Sequence, residues 1–114
     1  PGKSALQSNI RRLLEEFPIT ADGYFGSRGK TSDVRRIHSS EPATTSRRFF
    51  SIVSAGADSI RQERPECLRA SFADGSHITW RLSSNSDGSP AVRLDLKLSG
   101  SGIKSVQRIH FVKG

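Results

Sequence analysis

The chain has 114 residues, enough for one hydrophobic core and not two. Eighteen Lys and Arg stand against eleven Asp and Glu, a formal charge of +7, and thirteen of those cations are arginine. One cysteine, Cys67, excludes an internal disulfide, and His38, His77 and His110 are too scattered for a Cys/His ligand spacing, so neither metal nor cofactor is expected.

The first element is a helix over SALQSNIRRLLEEF. Ala5, Leu6, Ile10, Leu13, Leu14 and Phe17 recur at helical spacing, Ser4 suits an N-cap and Pro18 stops the helix. Arg11–Glu15 and Arg12–Glu16 fall at i,i+4 on its wet side. ITADGYFGSRGKTSD follows, a mobile basic loop with Gly23, Gly26 and Gly29 around Arg28 and Lys30. Glycine-rich backbone can approach a phosphate, and Lys30 can add a point charge. The spacing is not that of a P-loop. Tyr24 and Phe25 can stack a base or pack the loop onto the body. A short extended stretch, VRRIH, leads to a second helix from about Pro42 to Ser54. Phe49, Phe50, Ile52 and Val53 form its buried side, Arg47 and Arg48 reach outward, and Gly56 ends it.

From residue 58 the apolar period changes to two. CLRASFAD sets Leu68, Ala70 and Phe72 against Arg69 and Ser71, and an Asp74-Gly75 turn joins it to HITWRLS. The SNSDGS loop, the strand PAVRLDLKL, an SGSG turn and the final IKSVQRIHFV complete the pattern, with SIRQE as a further short edge strand. The fold class is α+β: two N-terminal helices packed on one face of a four- to five-stranded antiparallel sheet.

That arrangement leaves one sheet face open. Alternation gathers Arg69, Ser71, His77, Thr79, Arg81, Ser83, Arg93, Asp95, Lys97, Arg108 and His110 on it. A polar solvated face is the ordinary outcome for a half-buried sheet. This one is rich in Arg and His, and Asp95 is its one acid, which favours phosphate. RNA cleavage without metal needs such an inventory: a group that titrates near neutral pH to move protons, and cations to hold the phosphate. RNA supplies its own nucleophile, so it suits these residues better than DNA. Cys67 reads as a packing residue.

GYFGSRGKTSDVRRIHSSEPATTSRRFF, FADGSHITWRLSSNSDGSPAVRLDLKL and IKSVQRIHFV together resemble the C-terminal toxin domains of bacterial polymorphic toxins, of contact-dependent inhibition and Rhs type. The resemblance spans about residues 23 to 113, with residues 1–22 as an N-terminal helix and linker and 23–114 as the toxin nuclease domain of one compact unit. It implies a ribonuclease with a fold similar to the barnase/EndoU/colicin/RelE group. Such a toxin is secreted or delivered from the cell surface as part of a larger effector, and acts on RNA in the cytoplasm of a target bacterium. A cognate immunity protein neutralises it; an acidic one would complement the basic face. Carried over by motif, the site residues are Arg81 in TWRLSS, Ser89 in DGSPAV, and Gln107 and His110 in QRIHFV, with Thr79, Lys30 and His38 in support. Alternation sets Gln107 with Ile109 on the covered face unless a bulge turns it.

The expected activity is metal-independent cleavage of tRNA or rRNA to a 2′,3′-cyclic phosphate. His110, Arg81, Ser89 and Thr79 are the catalytic candidates, and Lys30, His38, Arg28, Arg93, Arg108 and Gln107 the RNA-binding ones. A host factor is a further possible partner. The competing classes are a non-catalytic nucleic-acid-binding module and a DNase toxin. No run is long and apolar enough for a membrane helix and none reads as a signal peptide, so no membrane anchoring is expected. The absence of Met and the opening PGKSALQ read as a piece of a longer polypeptide.

Overall fold

The structure, a computed structural model, describes residues 2–84, 88–97 and 102–114, and of residues 2–4 the backbone alone. In chain order the elements are α1 (Gly2–Glu16), β1 (Ser27–Arg28), β2 (Val34–Ser39), α2 (Pro42–Val53), β3 (Ser59–Arg64), β4 (Cys67–Ser71), β5 (His77–Arg81), β6 (Ala91–Asp95) and β7 (Val106–Lys113). The strands form one seven-stranded sheet in the order β1-β2-β7-β6-β5-β4-β3. Every pairing is antiparallel except β2 with β7, which is parallel.

The class is α+β, but the sheet is larger and more mixed than the sequence pattern suggests, and α2 follows two strands instead of preceding the sheet. VRRIHS is a full strand, β2, whose partner β7 lies at the other end of the chain. Parallel pairing needs no hairpin, so no turn signal in the sequence announces it. The meander from β3 to β7 matches the alternation, with SIRQE within the edge strand β3. Leu98, the SGSG turn up to residue 101 and the centre of the SNSDGS loop lie outside the described residues.

α1 buries Leu6, Ile10, Leu13 and Phe17 as one stripe. It begins at Gly2, so Ser4 lies inside the helix and is not its cap. α2 starts with Pro42 in its first turn, where a missing N–H costs nothing, and buries Phe49, Phe50 and Val53. The buried Asn9 of α1 donates to the carbonyls of Val53 at 3.0 Å and Ala55 at 2.6 Å, satisfying groups that the end of α2 leaves open. Glu16 pairs with Arg48 of α2 instead of with Arg12, which donates to Asn9 Oδ1. Its carboxylate raises the Arg48 pKa above the ordinary value through their hydrogen bond, though so exposed a pair adds little stability.

Four phenylalanines join these layers. The Phe49 ring meets Phe17 and Phe25 edge-on at 5.1 Å and Phe111 at 5.6 Å. Phe17 follows α1, Phe25 lies in the glycine-rich loop, and Phe111 is on β7. The α1 stripe belongs to the same core as the sheet, so residues 1–22 and 23–114 are not separate packing units. The glycine-rich loop is correspondingly anchored, not mobile: Phe25 bridges Ile19, and Gly26 (φ 61) presses against β2, where a Cβ would come within 2.1 Å of the Arg36 carbonyl oxygen. Phe49→Ala removes the shared ring and is expected to cost about 3–5 kcal/mol of unfolding free energy, measured by chemical denaturation.

Candidate active site

The covered face of the sheet presents Leu68, Ala70, Ile78, Trp80, Val92, Leu94, Ile109 and Phe111 to the helices, all but Leu68 fully or almost fully buried. Trp80 donates its indole N–H to Ser46 Oγ of α2 at 2.9 Å, and Arg47 lies over the same ring. The alternate residues of each strand form the open face, and their register arranges them in rows across the strands.

One row holds the chemistry. Cys67 pairs with Arg81, Arg81 with Ala91, Ala91 with His110, and His110 with Arg36. Ala91 is the smallest side chain of the row, so a notch opens between Arg81 and His110. Two strand spacings, about 10 Å, separate their backbones, within the combined reach of the two side chains. This notch lies in a groove of about 750 Å³ that His110, Arg81, Thr79, Arg93 and Arg108 all line. Arg64 and Arg69 add to it, so five arginines there face two glutamates, Glu63 and Glu66.

His110 is 8% exposed, a buried imidazole with one edge on the groove. Its Nδ1 lies 3.1 Å from Ser89 Oγ and 3.4 Å from Ser84 Oγ. Those hydroxyls fix the ring's orientation and influence its tautomer. When Nδ1–H donates to a serine, Nε2 carries the lone pair and is a base; when a serine donates to Nδ1, Nε2 carries the proton. The Pro90 carbonyl accepts from the Phe111 N–H, which ties the segment containing Ser89 to β7 beside His110.

The remaining candidates stand elsewhere. Gln107 is fully buried on the covered face, where its Oε1 accepts from the Phe25 N–H at 3.0 Å and its Nε2 donates to the Gly23 and Lys104 carbonyls. It cannot meet RNA: strict alternation holds through β7, with no bulge to turn it outward. Arg28 pairs with Arg35, whose guanidinium is buried on the covered side bonding the Phe25, Gly26 and Ser32 carbonyls, so Arg28 does not share the His110 face. Lys30 is exposed in the turn between β1 and β2. His38 is on the open face and exposed, but it pairs with Val112 outside the groove, and Gly114 lies against its ring. Phe25 is core, and Tyr24 is covered by Arg35 at 4.7 Å, so both pack the loop down. Arg81 pairs with Ala91 and not with Asp95, whose ion-pair partner is Lys97.

Three groups had no sequence signal of their own. Ser84 reaches His110 because the chain after β5 folds back. Arg36 neighbours it through the parallel pairing. Ala91 is on the open face by alternation, but an apolar residue at a strand start does not advertise a notch. Among the described residues, no three His, Cys, Asp or Glu come together as metal ligands.

Another cavity, about 940 Å³, lies in the furrow between α1 and α2. Arg12, Glu16, Arg48 and Ile52 line it, charges of both signs beside apolar surface, with no histidine or cysteine in its lining. The convergence of His110, two serines and several arginines makes the sheet groove the better candidate. No family model matches the chain, and neither a curated protein nor a solved structure is significantly similar to it.

The two neighbours Gln107 and Arg108 separate scaffold from surface. Gln107→Ala leaves the buried Phe25 N–H without its partner and is expected to cost about 1–3 kcal/mol. Arg108→Ala is expected to change stability by no more than about 0.5 kcal/mol. Paired denaturation curves check both.

Proposed function

We propose that this chain is a metal-independent endoribonuclease, the toxin domain of a bacterial polymorphic toxin. The supporting observation is the His110 row: a histidine oriented by Ser89 and Ser84, an arginine across the Ala91 notch, and a surrounding groove dominated by arginine. The scissile phosphate sits in the notch. Arg81 holds its non-bridging oxygens with its planar fork, as negative charge gathers on them in the pentacoordinate transition state. His110 Nε2 moves the proton. As base it takes the 2′-OH proton, so that the 2′ oxygen attacks phosphorus, and water protonates the departing 5′ oxygen; as acid it protonates the 5′ oxygen itself, and water takes the 2′-OH proton. The phosphorus–O5′ bond breaks as the phosphorus–O2′ bond forms, leaving a 2′,3′-cyclic phosphate and a 5′-hydroxyl. Ser89 and Ser84 position the ring, while Thr79, Arg93 and Arg108 receive neighbouring phosphates.

The substrate is tRNA or rRNA of a rival bacterium, reached by delivery within a larger effector, and an acidic immunity protein covers the basic face in the producing cell. These points rest on the resemblance of the GYFGSRGK, TWRLSS, DGSPAV and QRIHFV segments to polymorphic toxin domains, and on the charge of the face.

His110→Asn keeps a polar atom near the position of Nδ1, able to meet Ser89, and removes the ring that moves the proton. It is expected to lower RNA cleavage by at least about a hundredfold while retaining the fold. End-mapped RNA and circular dichroism measure the two effects. Cleavage at the parent rate by a folded His110→Asn variant overturns the catalytic assignment and leaves a nucleic-acid-binding module. Loss of activity in chelator, with nicking of plasmid DNA, indicates a DNase instead.

A further inference from the structure

A second row crosses the open face beside the His110 row. Arg61 of β3 pairs with Arg69 of β4, Arg69 with Thr79 of β5, Thr79 with Arg93 of β6, and Arg93 with Arg108 of β7. Four of these five residues are arginine. Like charges directly opposite on adjacent strands are destabilising, and this row contains two such pairs, Arg61–Arg69 and Arg93–Arg108. Within the row Arg69 alone meets a carboxylate, Glu63 at 3.9 Å; among the described residues none lies within ion-pair distance of Arg61, Arg93 or Arg108. Sheet edges often carry cations to discourage aggregation, which accounts for Arg61 on β3. It does not account for Arg93 and Arg108, which lie on two interior strands. A like-charge pair inside a sheet, with no internal counter-charge, fits an anion supplied from outside.

The geometry describes that anion. From Arg108 to Arg61 the row crosses four strand spacings, about 19 Å, and it is one residue wide. Along β7 it stands two residues from His110, about 7 Å, close to one nucleotide step of an extended backbone. Two pairs of arginines in one row, either side of Thr79, suit successive phosphates of a single strand. A duplex presents two backbones on either side of a wide shallow groove, which a single row does not match. Thr79, at the centre, offers a hydroxyl in place of a guanidinium and also lines the groove.

We propose that the Arg61–Arg69–Thr79–Arg93–Arg108 row is a backbone track for single-stranded RNA flanking the scissile phosphate. The enzyme then takes an unpaired stretch of several nucleotides, and a dinucleotide is a poor substrate. This proposal rests on the ribonuclease assignment for its catalytic readout, but its binding readout is independent of it. The track touches phosphates and not bases, so it strengthens binding to all sequences alike. Glu63 competes with RNA for Arg69.

The test compares a dinucleotide, a single-stranded octanucleotide and a duplex of the same length, by kcat/KM and by fluorescence anisotropy with the His110→Asn protein. The wild type is expected to favour the octanucleotide strongly over the dinucleotide and to bind it more tightly than the duplex. Arg69→Ala and Arg93→Ala are each expected to weaken octanucleotide binding roughly tenfold, with a smaller loss on the dinucleotide, and to lower the salt slope by about one. Glu63→Gln is expected to tighten binding. Equal cleavage of dinucleotide and octanucleotide overturns the track. Unchanged octanucleotide affinity in Arg69→Ala and Arg93→Ala overturns it too, and leaves the row to an acidic protein partner. If no oligonucleotide is cut, the ribonuclease assignment fails, and the anisotropy series still decides whether the track exists.

Discussion

β7 is held on both sides by pairings of opposite sense, and the rest of the molecule depends on that constraint. Its antiparallel ladder to β6 fixes Ala91 beside His110 and Leu94 beside Gln107. Its parallel ladder to β2 fixes Arg36 beside His110 and Arg35 beside Ile109. Because side chains alternate with a period of two, a slip of one residue in either ladder would exchange the two faces. His110 would enter the core and Gln107 the solvent. The packing of Phe111 against Phe49 and the bonding of Gln107 to the Phe25 segment both resist that slip. The candidate site is therefore positioned by the same contacts that close the core.

Gln107 and His110 show how one strand serves two purposes. Both are polar, both are buried, and both are hydrogen-bonded. Gln107 spends its amide on backbone groups of the glycine-rich loop and so fastens that loop across the end of the sheet. His110 is bonded through Nδ1 to two serines near the groove. The first arrangement stabilises because buried backbone groups would otherwise lack partners; the second orients a titratable ring. Sequence motif alone places the two residues together in QRIHFV, and the face of the sheet that each occupies sets them apart.

The open face also stands apart in charge. Away from it Arg48 meets Glu16 and Arg35 is surrounded by backbone carbonyls, and on the face itself carboxylates meet Lys97 and Arg69. Arg93 faces Arg108 directly across two interior strands. Such a pair is a local conflict in the free protein, of the kind that proteins tolerate where an external partner is bound.

The amino-acid sequence by itself determined a first helix ending before Pro18, though not its start, a second from about Pro42, the meander from β3 to β7, and the division of that meander into an apolar and an arginine-rich face. These follow from periods of 3.6 and 2, from Pro18, Pro42 and Asp74-Gly75, and from nothing distant. The neighbours on the open face were legible for the same reason: Thr79, Arg81, Arg93, Arg108 and His110 sit where alternation puts them. The tertiary structure decided what depends on pairing between remote segments. It made VRRIHS a strand beside β7, buried Phe25 and Arg35, turned Arg28 to the side of the sheet opposite His110, and brought Ser84 and Ser89 to His110. No local pattern encodes those outcomes, because a parallel ladder has no turn to mark it and a loop's landing place is set by the core it covers.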